Sequence, residues 1–300
     1  PLDRFVMARL DREGLALAPA AERATWLRRA ILDLCGLPPS PEALAQFLGD
    51  TSEAAFERAV DRLLATPAFG ERWAQRWLDL ARYADSQGYE KDDLRPDAWR
   101  YRDWVIDAFA RDLPFDQFTI EQIAGDLLPA ATRDQQVATG FSRCNVTTSE
   151  GGSINDELLF RYAVDRTATM TNAWMGLTGQ CAVCHDHKFD PLSQREFYEL
   201  AAFFNNTTQP AMDGNRHDTP PVLAVPRADD VPRFSEVERE MPGAREAVAA
   251  RHETAAREFE AWVRQVDGPT IAKFLPLDTP LVELPLAEGQ GSVTRVGLVG

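Results

Sequence analysis

Residues 179–191 read GQCAVCHDHKFDP and gather Cys181, Cys184, His185 and His187 into one short stretch. With 4 Cys and 4 His in 300 residues, chance supplies a Cys-x-x-Cys-His string only ~0.0007 times in a chain of this composition. If the segment takes a helical turn, Cys181, Cys184 and His185 stand at i, i+3 and i+4. Two sulfurs and an imidazole then project from one face toward one object. A covalently attached haem uses all three: the thiols add to the vinyl groups at one porphyrin edge, and the adjacent imidazole reaches the iron as proximal ligand. A zinc ion needs four ligands, and Cys35 and Cys144 are isolated from each other. A zinc site would therefore combine Cys181, Cys184 and His187 with one distant residue. A redox dithiol of the thioredoxin kind calls for a strand before the motif, whereas the residues before this one read as helix. The pattern ranks haem c first, anchored by Cys181 and Cys184 with His185 on the iron, and leaves zinc or a bare dithiol as alternatives.

The motif does not determine the second axial ligand. Two residues from His185 to His187 span at most ~7 Å, too short for His187 to pass round the porphyrin edge. Met212 and His217 lie far enough along the chain to return to the iron, and Met170, Met175 and His252 are further options, against the plainer reading of each Met as core packing. A six-coordinate iron suits electron transfer, whereas a five-coordinate iron is open to a small molecule. In the second case His187, flanked by Asp186, Lys188 and Asp190, is the candidate catalytic acid or base. The plain alternative is a solvated loop in which Asp190 and Pro191 introduce the next helix. Arg161 and Arg166 suit haem propionates or pair with Glu157 or Asp165. Asp85, Glu90, Asp92, Asp93, Glu150 and Glu157, beside glycine turns, would line an acidic pocket or Ca²⁺ site, or cap helices.

The elements that must position the motif are helical. SINDELLFRYAVDRTATMTNAWMGL opens on Ser153 and Asp156 in capping-box spacing and repeats apolar residues at helical intervals to a stop at Gly176 to Gly179. SQREFYELAAFF follows, with Ser193 and Glu196 as a second capping box and Phe197, Leu200, Ala201 and Phe204 on one stripe. Upstream, Leu27, Ile31 and Leu34 share a face before Gly36, and Ser40 caps a helix that begins at Pro41. Phe56, Val60, Leu63 and Leu64, then Phe69, Trp73, Trp77 and Leu80, extend the pattern. YRDWVIDAF and TIEQIAGDLL add two short amphipathic segments. No stretch before residue 220 alternates with period two, so residues 1–208 read as a mainly α domain large enough for one core. Residues 209–273 read as a Pro- and Asp-rich connection followed by a charged helical arm, a solvated hairpin or spacer broken at Pro242 and Gly243. Residues 274–300 read as the start of a β-type domain.

Hydrophobic residues make up 44% of the chain and charged ones 26%, as in a globular protein. A net charge of -15 repels nucleic acid and anionic membrane surfaces, which argues against both as main partners. No apolar run approaches the length of a membrane span. The opening PLDRFVMARLDREG has neither an initiator Met nor a signal-peptide pattern, so the chain is expected to be part of a longer polypeptide.

Several motifs carry a family resemblance: LDRFVMARL, RWLDLARYADSQGYEKD, WRYRDWVIDAF, IAGDLLP, ATGFSR, EGG and DRTATMTNAWMGLTGQCAVCHDHKFDPLSQREFYELAAFFNNT. Over about residues 2–208 the chain resembles the domain of unknown function that follows the planctomycete-type cytochrome c module in large secreted bacterial proteins. The resemblance implies export to an extracytoplasmic, periplasmic or secreted location, covalent haem at Cys181, Cys184 and His185, and a cytochrome c module, attached or separate, as redox partner. It implies no reaction. LPLAEGQGSVTRVG weakly resembles the opening strand of concanavalin-like jelly rolls and assigns no carbohydrate binding; a polysaccharide or small-molecule substrate is a separate expectation for the partner. The function expected is electron transfer within a larger protein, with an open-iron oxidoreductase or a structural metal-binding or polysaccharide-interacting scaffold as alternatives.

Overall fold

The computed structural model describes residues 2–88, 92–272, 282–283 and 297–298. It is mainly helical, and its contacts divide the chain into two compact units, residues 1–224 and 225–300.

In the first unit, helix α1 spans Leu2–Arg12 and buries none of its side chains. Helices α2 (Arg23–Cys35), α3 (Pro41–Gly49) and α4 (Ala55–Leu64) close around Leu27, Ile31, Phe47, Ala55 and Ala59. The punctuation follows the sequence. Gly36 ends α2 in the left-handed conformation at φ 79°, and the Ser40 hydroxyl accepts from the Ala43 amide with Pro41 in the first turn. Arg23 locks the group by donating to the carbonyl oxygens of Phe47 and Asp50, both at 2.6 Å, while its guanidinium lies 4.4 Å from the Phe47 ring centre.

The largest core joins α5 (Pro67–Ala81), α6 (Trp99–Ala110) and α7 (Phe115–Ala124) to the short helix α8 (Arg133–Ala138) and the turn behind it. Small residues let α5 and α6 approach closely: a Cβ on Gly70 would meet the Ile106 carbonyl oxygen at 2.7 Å. The face of α5 that turns inward is Gly70, Ala74, Trp77, Leu78 and Ala81. Leu80 and, on α4, Phe56 and Leu64 are exposed, while α4 buries Ala55 and Ala59. Trp77, Trp104 and Phe118 pack edge-on and stacked, with ring centres 4.8–5.5 Å apart, and Trp77 also meets Trp174 at 4.9 Å.

That last contact brings in α9 (Asn155–Met175), the long helix that carries the chain to the Cys-x-x-Cys-His motif. It begins at Asn155 after Ile154, and Ser153 makes no cap; the Ser153 amide instead closes a turn onto the Glu150 carbonyl. Gly176 ends it at φ 64°. Helix α10 (Gln194–Ala201) opens with the complete Ser193–Glu196 capping box and buries Phe197 and Ala201, with Phe204 just beyond its end.

Residues 209–219 do not leave this unit. Gln209, Ala211, Asp213 and Thr219 are buried, and Tyr162 of α9 donates to the Ala211 carbonyl at 2.8 Å. Their polar composition reads as a connection, yet their hydrogen bonds are made to the helical body.

In the second unit, α11 (Val231–Gln265) is one continuous helix of 35 residues. It runs through Pro242 and Gly243, where the sequence suggests a break, and buries no side chain. A proline removes one backbone bond of the ladder, and the remaining turns of this charged helix continue past it. Helix α12 (Gly268–Ala272) follows. Of residues 274–300, the described ones are Val282–Glu283 and Gly297–Leu298, which pair antiparallel; the rest of the expected β-type segment lies outside the described residues. Among the described residues no helix is long and apolar enough to cross a membrane.

Candidate functional site

The motif sits in a tight 3-10 turn, Gly179–Val183, between the end of α9 and the start of α10. Cys181 lies within the turn, Cys184 is the residue that closes it, and His185 follows directly. Environment alternates along it. Ala182 is fully buried and Val183 is partly buried against α9 and α10, while Cys181 and Cys184 are exposed free thiols.

Both flanking helices clamp the turn. On the α9 side Gly179 is buried against Thr171, and Val164 and Ala168 pack around Ala182, Leu192 and Phe197. On the α10 side the Gln194 amide donates to Asp186 Oδ1 at 2.8 Å, and Gln194 Nε2 and the Tyr198 hydroxyl both donate to the Val183 carbonyl at 3.0 and 2.9 Å. His185 is exposed, with Nδ1 2.7 Å from the carbonyl oxygen of Asp186. A carbonyl only accepts, so Nδ1 donates, and in the neutral ring that leaves the lone pair on Nε2.

His187 has a different task. Its side chain is 7% exposed, Nδ1 accepts from the amides of Asp190 at 2.8 Å and Phe189 at 3.2 Å, and Nε2 faces Asp190 Oδ2 at 3.4 Å. Its own amide donates to the Leu192 carbonyl at 2.8 Å. The ring therefore organises the loop that returns the chain to α10, with both nitrogens engaged inside that loop. Lys188 lies over the Phe189 ring at 5.0 Å.

The remaining sequence candidates are spread around α9. Leu158, Tyr162 and Arg166 succeed one another at i, i+4 and i+8 on one face, whereas Val164, Ala168 and Thr171 lie on the other. The motif packs on the second face, and Met212 packs on the first, beside Leu158, Tyr162 and Ala211. His217 lines a cleft with Asn145 and Gln209, two of the residues that accept from Arg166 on that same first face. The structure thus groups Cys181, Cys184 and His185 and places Met212 and His217 across the helix from them. Met175 shares the motif-facing stripe and is exposed.

Arg161 pairs with Glu157 one turn back. Arg166 is buried and donates to the Ser142 carbonyl, Thr207, Asn145 and Gln209, away from the motif. The acidic residues satisfy local donors: Asp85 accepts from the Tyr83 hydroxyl and Asp92 from Ser86. Glu90 lies outside the described residues. Among the described residues no three His, Cys, Asp or Glu side chains converge as a metal site would require.

No curated protein and no solved structure matches the chain. One family model does, over residues 1–209, from α1 through α10 and the motif turn; by that match the chain belongs to the PSCyt2 family, described as protein of unknown function (DUF1549).

Proposed function

We propose that this chain is an extracytoplasmic c-type haem protein that carries electrons within a larger multidomain protein. Cys181 and Cys184 serve as the thioether anchors and His185 as the proximal ligand. The observation that carries the reading is the His185 tautomer. An imidazole that ligates iron uses one ring nitrogen while the other donates to a carbonyl or carboxylate, which sets ring orientation and raises basicity. His185 donates from Nδ1 to Asp186 and presents its lone pair at Nε2.

The neighbouring residues fit the group. Both thiols are free and exposed, one turn apart, as addition to two vinyl groups at one porphyrin edge requires. Met175, at the end of α9 that leads into the turn, is an exposed apolar side chain. Buried Ala182, Leu192 and Phe197 keep the turn rigid, so little rearrangement accompanies a change of charge. When bound, haem supplies the one-electron iron couple. A cytochrome c module, attached or separate, is the proposed redox partner, since an exposed prosthetic group suits exchange with another exposed one. The PSCyt2 name of the family is consistent with this assignment.

The test is a pyridine haemochrome spectrum and a haem stain on a denaturing gel, using protein matured with a c-type assembly system. Covalent haem in the wild type, absent from the Cys181→Ala/Cys184→Ala variant, is the expected outcome. Wild-type protein that emerges without haem overturns the proposal. Ferric low-spin iron then supports electron transfer, and high-spin iron redirects the assignment to an oxidoreductase with an open iron position.

A further inference from the structure

Across α9 from the motif, the chain encloses a cleft of about 250 Å³ lined by residues of 82–88, by Arg95, and by residues of 143–147 and 209–219. None of its lining belongs to the motif, and the haem assignment does not bear on it.

Its electrostatics run against those of the chain. The protein has 47 acidic residues and 32 Lys and Arg, yet among the described residues the cleft is lined by four arginines and one carboxylate, Asp213. Two of the arginines are neutralised: Arg82 makes a two-pronged pair with Asp165 at 2.6 and 2.7 Å, and Arg216 pairs with Asp218 at 2.9 and 3.0 Å. The other two are not. Arg95 donates to the Arg143 carbonyl at 2.8 Å, and Arg143 donates to the carbonyls of Thr219 at 2.9 Å and Pro220 at 3.4 Å. Behind the wall Arg166 is bonded only to neutral oxygens. Three guanidiniums are thus held together by neutral acceptors, while the lining carboxylate Asp213, which accepts from Thr147, Ser149 and the Asn215 amide, offsets only part of their charge.

Placing like charges side by side in a partly dry cleft is costly unless an anion joins them. Burial, and then the neighbouring Arg95, pulls the Arg143 pKa below its ordinary value, and burial and then Arg143 pull Arg166 down to about 10. Both remain charged at neutral pH. The hydrogen-bond count points the same way: a guanidinium has five N–H donors, of which the described contacts use one on Arg95 and two on Arg143. Donors and charge are therefore left over in a fork geometry that matches a planar or tetrahedral oxyanion.

We propose that this cleft binds a small oxyanion-bearing ligand, a carboxylate, sulfate or phosphate group, through Arg95 and Arg143, with His217 at its exposed mouth. Ser86, Gln87, Asn145 and Thr147 supply hydroxyls and amides for the rest of such a molecule.

The experiment titrates the full chain with sodium sulfate, sodium phosphate and sodium acetate against sodium chloride at matched ionic strength, following the melting temperature and then calorimetry. At least one oxyanion should stabilise the protein where chloride does not, and the three salts tell which oxyanion geometry is preferred. Arg95→Gln should weaken that binding about tenfold or more, with Arg95→Lys between the two. Equal responses to all four salts, or oxyanion binding unchanged in Arg95→Gln, would overturn the proposal. Should Arg95→Gln not fold, amide hydrogen exchange on the wild type decides: slower exchange at 143–147 and 213–219 with the oxyanion supports the site, and unchanged exchange there rejects it.

Discussion

Gly179 lies so close to Thr171 that a methyl group on its Cα would overlap the Thr171 hydroxyl. Thr171 is fully buried and itself donates to the Ala168 carbonyl at 3.0 Å, so it has nowhere to move. The motif turn is thereby seated directly on α9, two residues before Cys181. Gly179→Ala should destabilise the domain by about 1–3 kcal/mol through overpacking, read as a lower melting temperature. It should also reduce the yield of covalent haem, since the turn that presents both thiols must shift. A variant as stable as the wild type would show that this contact is looser than its geometry.

His187 invites a catalytic reading from sequence, and its surroundings give it a structural one. Removing the ring in His187→Ala strips the amides of Asp190 and Phe189 of their acceptor and should cost about 1–2 kcal/mol. An Asn carbonyl can accept from amides two and three residues on, so His187→Asn should recover much of the loss in a thermal melt. Haem attachment should survive in both. Equal stability of the Ala and Asn variants would remove the acceptor role.

Met212 and His217 stand on the far side of α9 from Cys181 and Cys184. If that arrangement persists after maturation, Met212→Leu and His217→Ala leave the ferric absorption spectrum and spin state as in wild type. A low-spin to high-spin change in either variant would mean that the 209–219 segment rearranges to reach the iron.

The buried Gln122 side chain gathers two aromatic donors, Trp77 Nε1 and the Tyr101 hydroxyl, each at 2.7 Å, and donates to the Phe118 carbonyl at 3.2 Å. It ties α5, α6 and α7 together at the centre of the largest core. Gln122→Ala leaves both aromatic donors without that acceptor, at about 1–3 kcal/mol each, so a drop of about 2–5 kcal/mol in unfolding free energy is expected by denaturant titration. A loss below about 1 kcal/mol would mean that water enters and replaces the amide.

Local signals made the helices and the motif legible. Gly36, Ser40 with Pro41, the Ser193–Glu196 box and Gly176 each act through their own backbone neighbours, and each appears in the structure where its residues stand. Ser153 looked equivalent, but Ile154 takes the capping position and the preceding turn uses the serine amide. The cleft could not be read at all. Arg95, Arg143 and Thr219 share no spacing pattern, because what assembles them is the tertiary return of 209–219 onto α9, and nothing in a polar Pro- and Asp-rich segment announces that it will be buried. Arg166 was visible as an arginine on the helix leading to the motif, yet only the phase of α9 shows which side it serves.

Cys144 supplies a pH-dependent test of the same region. Its thiol donates to the Gly140 carbonyl at 3.5 Å beside the large core, and burial pushes its pKa up to about 11 from 9.0, against the opposing pull of Arg95 and Arg82. The folded pKa is the higher one, so its contribution to stability is complete below pH ~9, where the thiol is protonated in both states. Between pH ~9 and ~11 the unfolded chain ionises while the folded one does not, and stability falls by at most about 3 kcal/mol. Buried Tyr101, also held well above its ordinary value by desolvation, adds to the decline at the upper end. The melting temperature of wild type should therefore fall relative to that of Cys144→Ala as pH rises through this window, whatever their difference at pH ~8. In the same experiment on protein matured without haem, iodoacetamide at pH ~8 should label the exposed Cys181 and Cys184 rapidly and the half-buried Cys144 more slowly. Rapid labelling of Cys144 in the native state, or parallel melting curves across the window, would show that its thiol is neither buried nor shifted.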